Sequence, residues 1–340
     1  MERLLEVSNL EVNFKTYGGE VKAVRDVSFH VNKGEIMAIV GESGSGKSVT
    51  VQTIMDLIPT PPGIIKGGKI LFQGKDLLKL SKREMRKMKG SKLSMVFQDP
   101  MTSLNPTMKV GKQIEESILN HQTVTKAEAR KTAVEMIRLV GIPNPEERYH
   151  QYPHEFSGGM RQRAMIAIAL ACNPELLIAD EPTTALDVTI QAQVLNLMKE
   201  LKEKTDTSII LITHDLGVVA ETAQRVAVMY AGVIVETASV DDIFESPKHP
   251  YTWGLLESIP NVESAEKERL IPIEGSPPDL FNPPKGCPFA ARCKYAMEVC
   301  VDHMPPDFDI GNGHTAKCWL NDARAPKVED LVAAGREQNE

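Results

Sequence analysis

The stretch Gly41-Glu42-Ser43-Gly44-Ser45-Gly46-Lys47-Ser48 matches G-x-x-x-x-G-K-[ST] at every fixed position, and it constrains the rest of the chain more than any other feature. The apolar run Ile36 to Val40 enters it as a strand, and Val49 to Met55 leaves it as a helix, which is the context this loop requires. Glycines at 41, 44 and 46 allow positive φ, so successive N–H groups can converge on phosphate oxygens. The dipole of a helix starting near Lys47 adds positive potential. Lys47 is expected to reach the β- and γ-phosphates, and the Ser48 hydroxyl to bind Mg²⁺. Gly41, Ser43, Gly44, Ser45, Gly46, Lys47, Ser48 and Val49 form the expected nucleotide-binding set. A glycine-rich turn that binds nothing is the competing reading, and the strand–loop–helix context argues against it.

Leu176-Leu177-Ile178-Ala179-Asp180-Glu181 is an apolar strand ending in two carboxylates. The first, Asp180, is expected to hold the Mg²⁺ on Ser48, and Glu181 to orient or deprotonate a water. Ser208 to Thr213 is another buried strand, ending at His214, where a γ-phosphate contact is credible. Ser157-Gly158-Gly159 opens a long apolar helix and forms a second anion site by the same dipole logic.

Elsewhere, Leu4 to Val31 alternates apolar and polar residues around Gly18-Gly19, which predicts an antiparallel hairpin or meander. Tyr17 lies beside that turn, where its ring could stack on a purine or simply pack. Met108 to Tyr152 becomes helical, with Ala129, Ala133, Met136, Ile137 and Val140 spaced along one face, as expected for an inserted helical subdomain. Ser81 with Glu84 marks a capping box before the basic run Lys82 to Lys92, most simply a solvated helix face.

A net charge of −7 argues against a dominating nucleic-acid surface. The longest apolar run, Ala164 to Cys172, is far short of the roughly 18 residues that span a bilayer. The first residues lack the apolar stretch of a secretory signal, so a cytoplasmic location is expected.

Taken together, these motifs resemble the nucleotide-binding subunits of ATP-binding-cassette transporters from about Leu4 to Thr237. The implied fold is α/β: a P-loop NTPase (RecA-like) core, an antiparallel β subdomain and an inserted α-helical subdomain at about 99–165. A cassette over 1–240 and a Cys-rich C-terminal extension over 241–340 follow. The resemblance makes Gln98 the glutamine linking Mg²⁺, attacking water and membrane partner. It makes Ser157, Gly158 and Gly159 the signature, Asp187 the acid of the dimer loop, His214 the switch histidine, and Tyr17 an adenine contact. It also implies that ATP is held between one subunit's phosphate loop and the other's signature. Signature position 160 is Met where the family commonly has Gln, which leaves the Ser157 hydroxyl and glycine amides intact.

His249 to Leu256 and Gly286 to Cys293 are similar to C-terminal motifs of the dipeptide and oligopeptide importer branch. Nickel and other small-solute importers share much of this, so an importer ATPase for another small solute such as nickel is the alternative. That similarity implies an ATPase motor at the cytoplasmic face of the membrane. The implied partners are a second ATPase subunit (heterodimer favoured over homodimer), two transmembrane permease subunits and, indirectly, an extracytoplasmic solute-binding protein. A soluble cassette ATPase is a weaker alternative, since neither a second cassette nor a long coiled-coil insertion is present.

Cys287, Cys293, Cys300 and Cys318 cluster in a Pro-rich, strand-poor tail. A reducing compartment disfavours disulfides, and structural zinc usually begins with C-x2-4-C, which is absent. An iron–sulfur cluster accepts irregular spacing. Some peptide-importer ATPases with this motif carry a [4Fe–4S] cluster, so that cofactor is expected, with Zn²⁺ as the alternative.

Overall fold

The computed structural model describes residues 2–99, 103–184, 188–258 and 272–328. Two antiparallel strands open the chain, β1 (Arg3–Thr16) and β2 (Gly19–Asn32), followed by β3 (Ile36–Val40). Then come β4 (Gly63–Phe72), β5 (Lys75–Asp76), β6 (Leu93–Val96), β7 (Leu176–Asp180) and β8 (Ser208–Thr213). The last strands are β9 (Arg225–Tyr230), β10 (Val233–Ser239), β11 (Phe308–Gly311) and β12 (His314–Ala316).

They form two sheets. The smaller has the order β2-β1-β4-β5 and is antiparallel. The larger runs β11-β12-β10-β9-β3-β8-β7-β6, with β9, β3, β8, β7 and β6 parallel. Every residue of β3, β7 and β8 is buried, as their near-continuous apolar sequences require of strands covered on both faces.

The two-residue period of each strand divides its side chains between two cores. Met37, Ile39, Ile178, Ile210 and Ile212 join the core shared with the small sheet, including Leu10, Val27 and Phe72. Ala38, Val40, Leu177, Ala179 and Leu211 face the other way, into the core shared with the helices. Full burial of each Val, Leu, Ile or Met side chain stabilises the fold by about 1.5–3 kcal/mol.

The helical insert consists mainly of Val110–His121, Lys126–Leu139 and Gly158–Leu170. Ala129, Ala133, Met136 and Ile137 are the buried face of the second helix, on the spacing anticipated. Its first turn is fixed by a capping box between Thr125 and Glu128, and the basic helix Lys82–Met88 is capped likewise by Ser81 and Glu84.

Beyond Ser239 the chain continues in the same core. Tyr251, Cys287, Phe289 and Cys300 belong to the helix-side cluster. The tail is less strand-poor than its composition suggests. β11 and β12 form a hairpin, and Thr315 and Ala316 of β12 pair antiparallel with Thr237 and Glu236 of β10, extending the large sheet. The turn Gly311-Asn312-Gly313, with positive φ at all three residues, makes that hairpin possible.

Candidate nucleotide site

The parallel register assembles the site. Val40 pairs with Thr213, and Asp180 with Ile212, so β3, β7 and β8 end at one edge. The residues that follow, Gly41, Glu181 and His214, therefore leave the sheet side by side. This is the carboxyl end of parallel strands, where open α/β sheets bind ligands.

A cavity of about 550 Å³ lies there, lined by Ala23, Ser43, Gly44, Ser45, Gly46, Lys47, Ser48, Val49, Gln98, Glu181 and His214. That size is within the range of small-molecule sites. The phosphate loop beside the cavity requires glycine. At Gly41 (φ +151) a Cβ would lie 2.0 Å from the Met229 carbonyl oxygen, and at Gly46 (φ +100) 2.5 Å from that of Ala23. Gly44 (φ +78) faces open space, so its constraint is conformational alone.

Lys47 is buried, and its ammonium donates to the carbonyls of Gly41 (2.7 Å) and Glu42 (2.9 Å). Desolvation pushes its pKa down, against the pull of Glu181, Asp180 and Glu42. The Ser48 hydroxyl donates to Asp180 Oδ1 at 3.0 Å. Asp180 is itself buried, and desolvation raises its pKa, with the Ser48 hydrogen bond opposing.

Glu181 sits in the left-handed region (φ 46), which costs a non-glycine residue roughly 1–3 kcal/mol and concentrates at functional positions. Its Oε2 accepts from Gln98 Nε2 (2.9 Å) and from the Thr184 hydroxyl (2.9 Å). His214 Nδ1 lies 3.6 Å from Oε1. Thr184 was not anticipated as a partner, although its hydroxyl stands three residues after the acid.

The oxygen pair Ser48–Asp180 suits a hard cation such as Mg²⁺, which takes one or two protein oxygens and completes its shell with phosphate and water. Open space beside Gly44 and the buried ammonium suit a polyphosphate.

The remaining expected residues that the structure describes do not line the cavity. Tyr17 is fully exposed at the β1–β2 turn and does not line the cavity. Ser157, whose hydroxyl accepts from Met160 N, Gly158 and Gly159 start the helix Gly158–Leu170 and do not line it either. Asp187 lies outside the described residues.

The cysteine expectation is corrected. Cys287, Cys293, Cys300 and Cys318 all line one small space with His249, Phe289 and Trp319, and they are free thiols. Yet among the described residues no group of three or more His, Cys, Asp or Glu side chains is arranged to hold a metal ion. Neither the [4Fe–4S] cluster nor the zinc site is retained. Burial pushes the thiols of Cys287 and Cys318 up to about 12 and that of Cys293 to about 11. Neutral thiols packed on apolar groups behave as small core residues.

A phosphate loop on a parallel sheet, faced by strand-end acids, defines a P-loop nucleotide-binding protein. A family profile for ABC transporters matches residues 24–184, and one for the oligopeptide/dipeptide transporter C-terminal region matches residues 235–300. The chain is 64% identical to the oligopeptide transport ATP-binding protein OppD of Bacillus subtilis, over 96% of this chain and 91% of that one. It is 59% identical to the dipeptide transport ATP-binding protein DppD of the same organism, over 98% and 99%. A dimeric, post-hydrolysis structure of the ATP-binding cassette MJ0796 bound to ADP and Pi superposes with a TM-score of 0.63 at 26% identity, covering 69% of this chain and 98% of that one. The chain thus belongs to the ATP-binding-cassette transporter family, among its oligopeptide and dipeptide transport ATP-binding proteins.

Proposed function

We propose that this chain is the ATP-hydrolysing motor subunit of a membrane importer for oligopeptides or dipeptides. The observation that carries the reading is the convergence of Lys47, Ser48, Asp180, Glu181, Gln98 and His214 on one edge of the sheet, in a chain related along nearly its whole length to peptide-transport ATPases.

Lys47 and the loop N–H groups bind the phosphates of ATP and neutralise charge that grows on the leaving group. Ser48 and Asp180 would hold Mg²⁺, which supplies charge neutralisation at the phosphate oxygens when bound. Glu181 accepts the proton of the attacking water. The hydrogen bonds from Gln98 and Thr184 keep its carboxylate turned toward the cavity, and His214 lies against its other oxygen. Tyr17 stacks on adenine once nucleotide is present.

Ser157, Gly158 and Gly159 point to a shared site. They do not line the cavity of this chain's own phosphate loop, so they serve the nucleotide of a second ATPase subunit, and two cassettes close around ATP. In this reading residues 1–240 are the cassette and 241–340 its extension. Two permease subunits contact it near Gln98 and the helical insert, and the pair of cassettes is a heterodimer. A solute-binding protein acts from the other side of the membrane. Among the described residues no helix is long and apolar enough to cross a membrane, which suits a peripheral subunit held by permeases.

The test is purification of the chain from detergent-extracted membranes, followed by ATP-driven peptide uptake in vesicles reconstituted from the complex. Integral membrane subunits and peptide uptake are the expected outcome. Copurification with ribosomes or DNA, without membrane subunits, would sink the reading in favour of a soluble cassette ATPase.

A further inference from the structure

Glu42, the first variable residue of the phosphate loop, is held by two residues from beyond position 240. Arg292 belongs to the short turn Ala290–Arg292, and its side chain is 5% exposed. Its fork meets the Glu42 carboxylate in both arms, Nη1 to Oε2 at 2.7 Å and Nη2 to Oε1 at 3.0 Å. The remaining donors go to the Tyr230 hydroxyl (3.1 Å) and to the carbonyls of Ile273 (3.0 Å) and Glu274 (2.9 Å). All the hydrogen-bonding capacity of the guanidinium is therefore used, and the ring of Tyr230 lies 5.7 Å from it. On the backbone side, Glu42 N donates to the hydroxyl of the buried Tyr251 at 2.8 Å.

The same Glu42 carbonyl accepts from Lys47, at 2.9 Å. One residue is thus fixed at its amide by Tyr251, at its side chain by Arg292, and at its carbonyl by Lys47. Displacing Arg292 or Tyr251 would free the loop immediately before Ser43 and Gly44, two cavity-lining residues. A planar bidentate pair restricts orientation as well as distance, which a lysine could not do.

We propose that Arg292 and Tyr251 are positioning residues for the ATPase site: they hold Glu42, and through it the phosphate loop, in the geometry that binds ATP. The seating of the C-terminal region thereby sets nucleotide affinity. This rests on the reading that the loop binds ATP.

The test is calorimetric titration of the purified full chain with Mg·ATP, beside thermal melting of each variant. Arg292→Ala and Glu42→Ala should each weaken ATP binding roughly tenfold to hundredfold, as loss of positioning does. The double variant should be no weaker than the worse single one, because both remove the same link. Arg292→Lys should recover only part of the loss, and Tyr251→Phe should cost roughly fivefold. A purely structural staple would lower the melting temperature and leave the affinity of the folded chain within about twofold of wild type, which overturns the proposal. Should Arg292→Ala not fold, Glu42→Gln and Tyr251→Phe keep shape and volume, and unchanged ATP affinity in both overturns it equally. Lys47→Ala serves as the control. If the wild-type chain itself binds no ATP, the nucleotide reading fails and this one with it, an outcome distinct from wild-type binding that Arg292 and Glu42 do not affect.

Discussion

Replacing Glu181 with Gln isolates the proton-accepting role from every other role of that residue. The Oε2 atom accepts from both Gln98 and Thr184, each at 2.9 Å, while Oε1 faces His214 at 3.6 Å. A glutamine can place its single amide oxygen where Oε2 now lies and keep both hydrogen bonds, with its NH₂ turned toward the His214 ring. The backbone at φ 46 is no harder for Gln than for Glu, so the melting temperature should stay at the wild-type value. What disappears is basicity. A positioned general base is worth roughly 10²–10⁴-fold in rate, so phosphate release should slow by that factor, a barrier increase of about 3–5 kcal/mol. ATP affinity should be kept, and size-exclusion chromatography with ATP and the second ATPase subunit should show a trapped cassette dimer. The assay is continuous phosphate release under saturating Mg·ATP, read against calorimetric ATP binding. Turnover within about threefold of wild type would refute the assignment of Glu181 as base.

Lys47→Ala should weaken ATP binding by roughly 100-fold or more, because it removes the buried charge that the phosphates would meet; retained affinity in calorimetry would mean that the loop has another task. His249 offers a pH test. It is fully buried, its Nε2 has no hydrogen-bond partner, and desolvation pushes its pKa down to about 4 from 6.5, with the Glu236 charge opposing. The unfolded chain therefore takes up a proton near pH 6.5 that the folded chain refuses until about pH 4, so stability falls as pH drops through that window. The loss is on the order of 2–3 kcal/mol. Urea unfolding at pH 7 and pH 5 should show a smaller pH-dependent loss in His249→Gln than in wild type, and equal losses would refute the assignment.

The parallel strands and the loop they carry were legible because their residues act locally. Ile36 to Val40 must be buried on both faces, and Gly41, Gly44 and Gly46 are demanded by backbone geometry at those positions. The strand-end acids were legible for the same reason, since an all-apolar strand leaves its chemistry at its end. Residues whose meaning lies in a partner distant in sequence were not. Nothing near Glu42 announces an arginine 250 residues later, and Thr184 acquires its role only when Glu181 turns into the left-handed region. The four cysteines misled for a related reason. Spacing says which thiols are near in sequence, while metal binding needs a ligand geometry. The four sulfurs line one small space, yet among the described residues no group of three or more His, Cys, Asp or Glu is arranged to hold a metal ion, and burial pushes the thiols of Cys287, Cys293 and Cys318 up. Hairpin β11–β12 was hidden because only Gly311-Asn312-Gly313 signals it, in a stretch otherwise rich in proline and charge.

That hairpin has a consequence for the solubility of the molecule. β10 would be the last strand of the large sheet without it, with Glu236 fully buried and bonded to the backbone of Lys248 and His249, the Thr252 hydroxyl and His314. β12 covers the middle of that border and carries His314 into place, so the outer backbone groups of β10 around Val235, Glu236 and Thr237 have a partner within their own chain. A chain ending at Ser239 would bare these groups and offer them to any other strand of matching length. Light scattering should then report self-association at concentrations where the full chain stays dispersed. The final hairpin acts as a selvedge, a finished border that keeps one sheet from being sewn to the next.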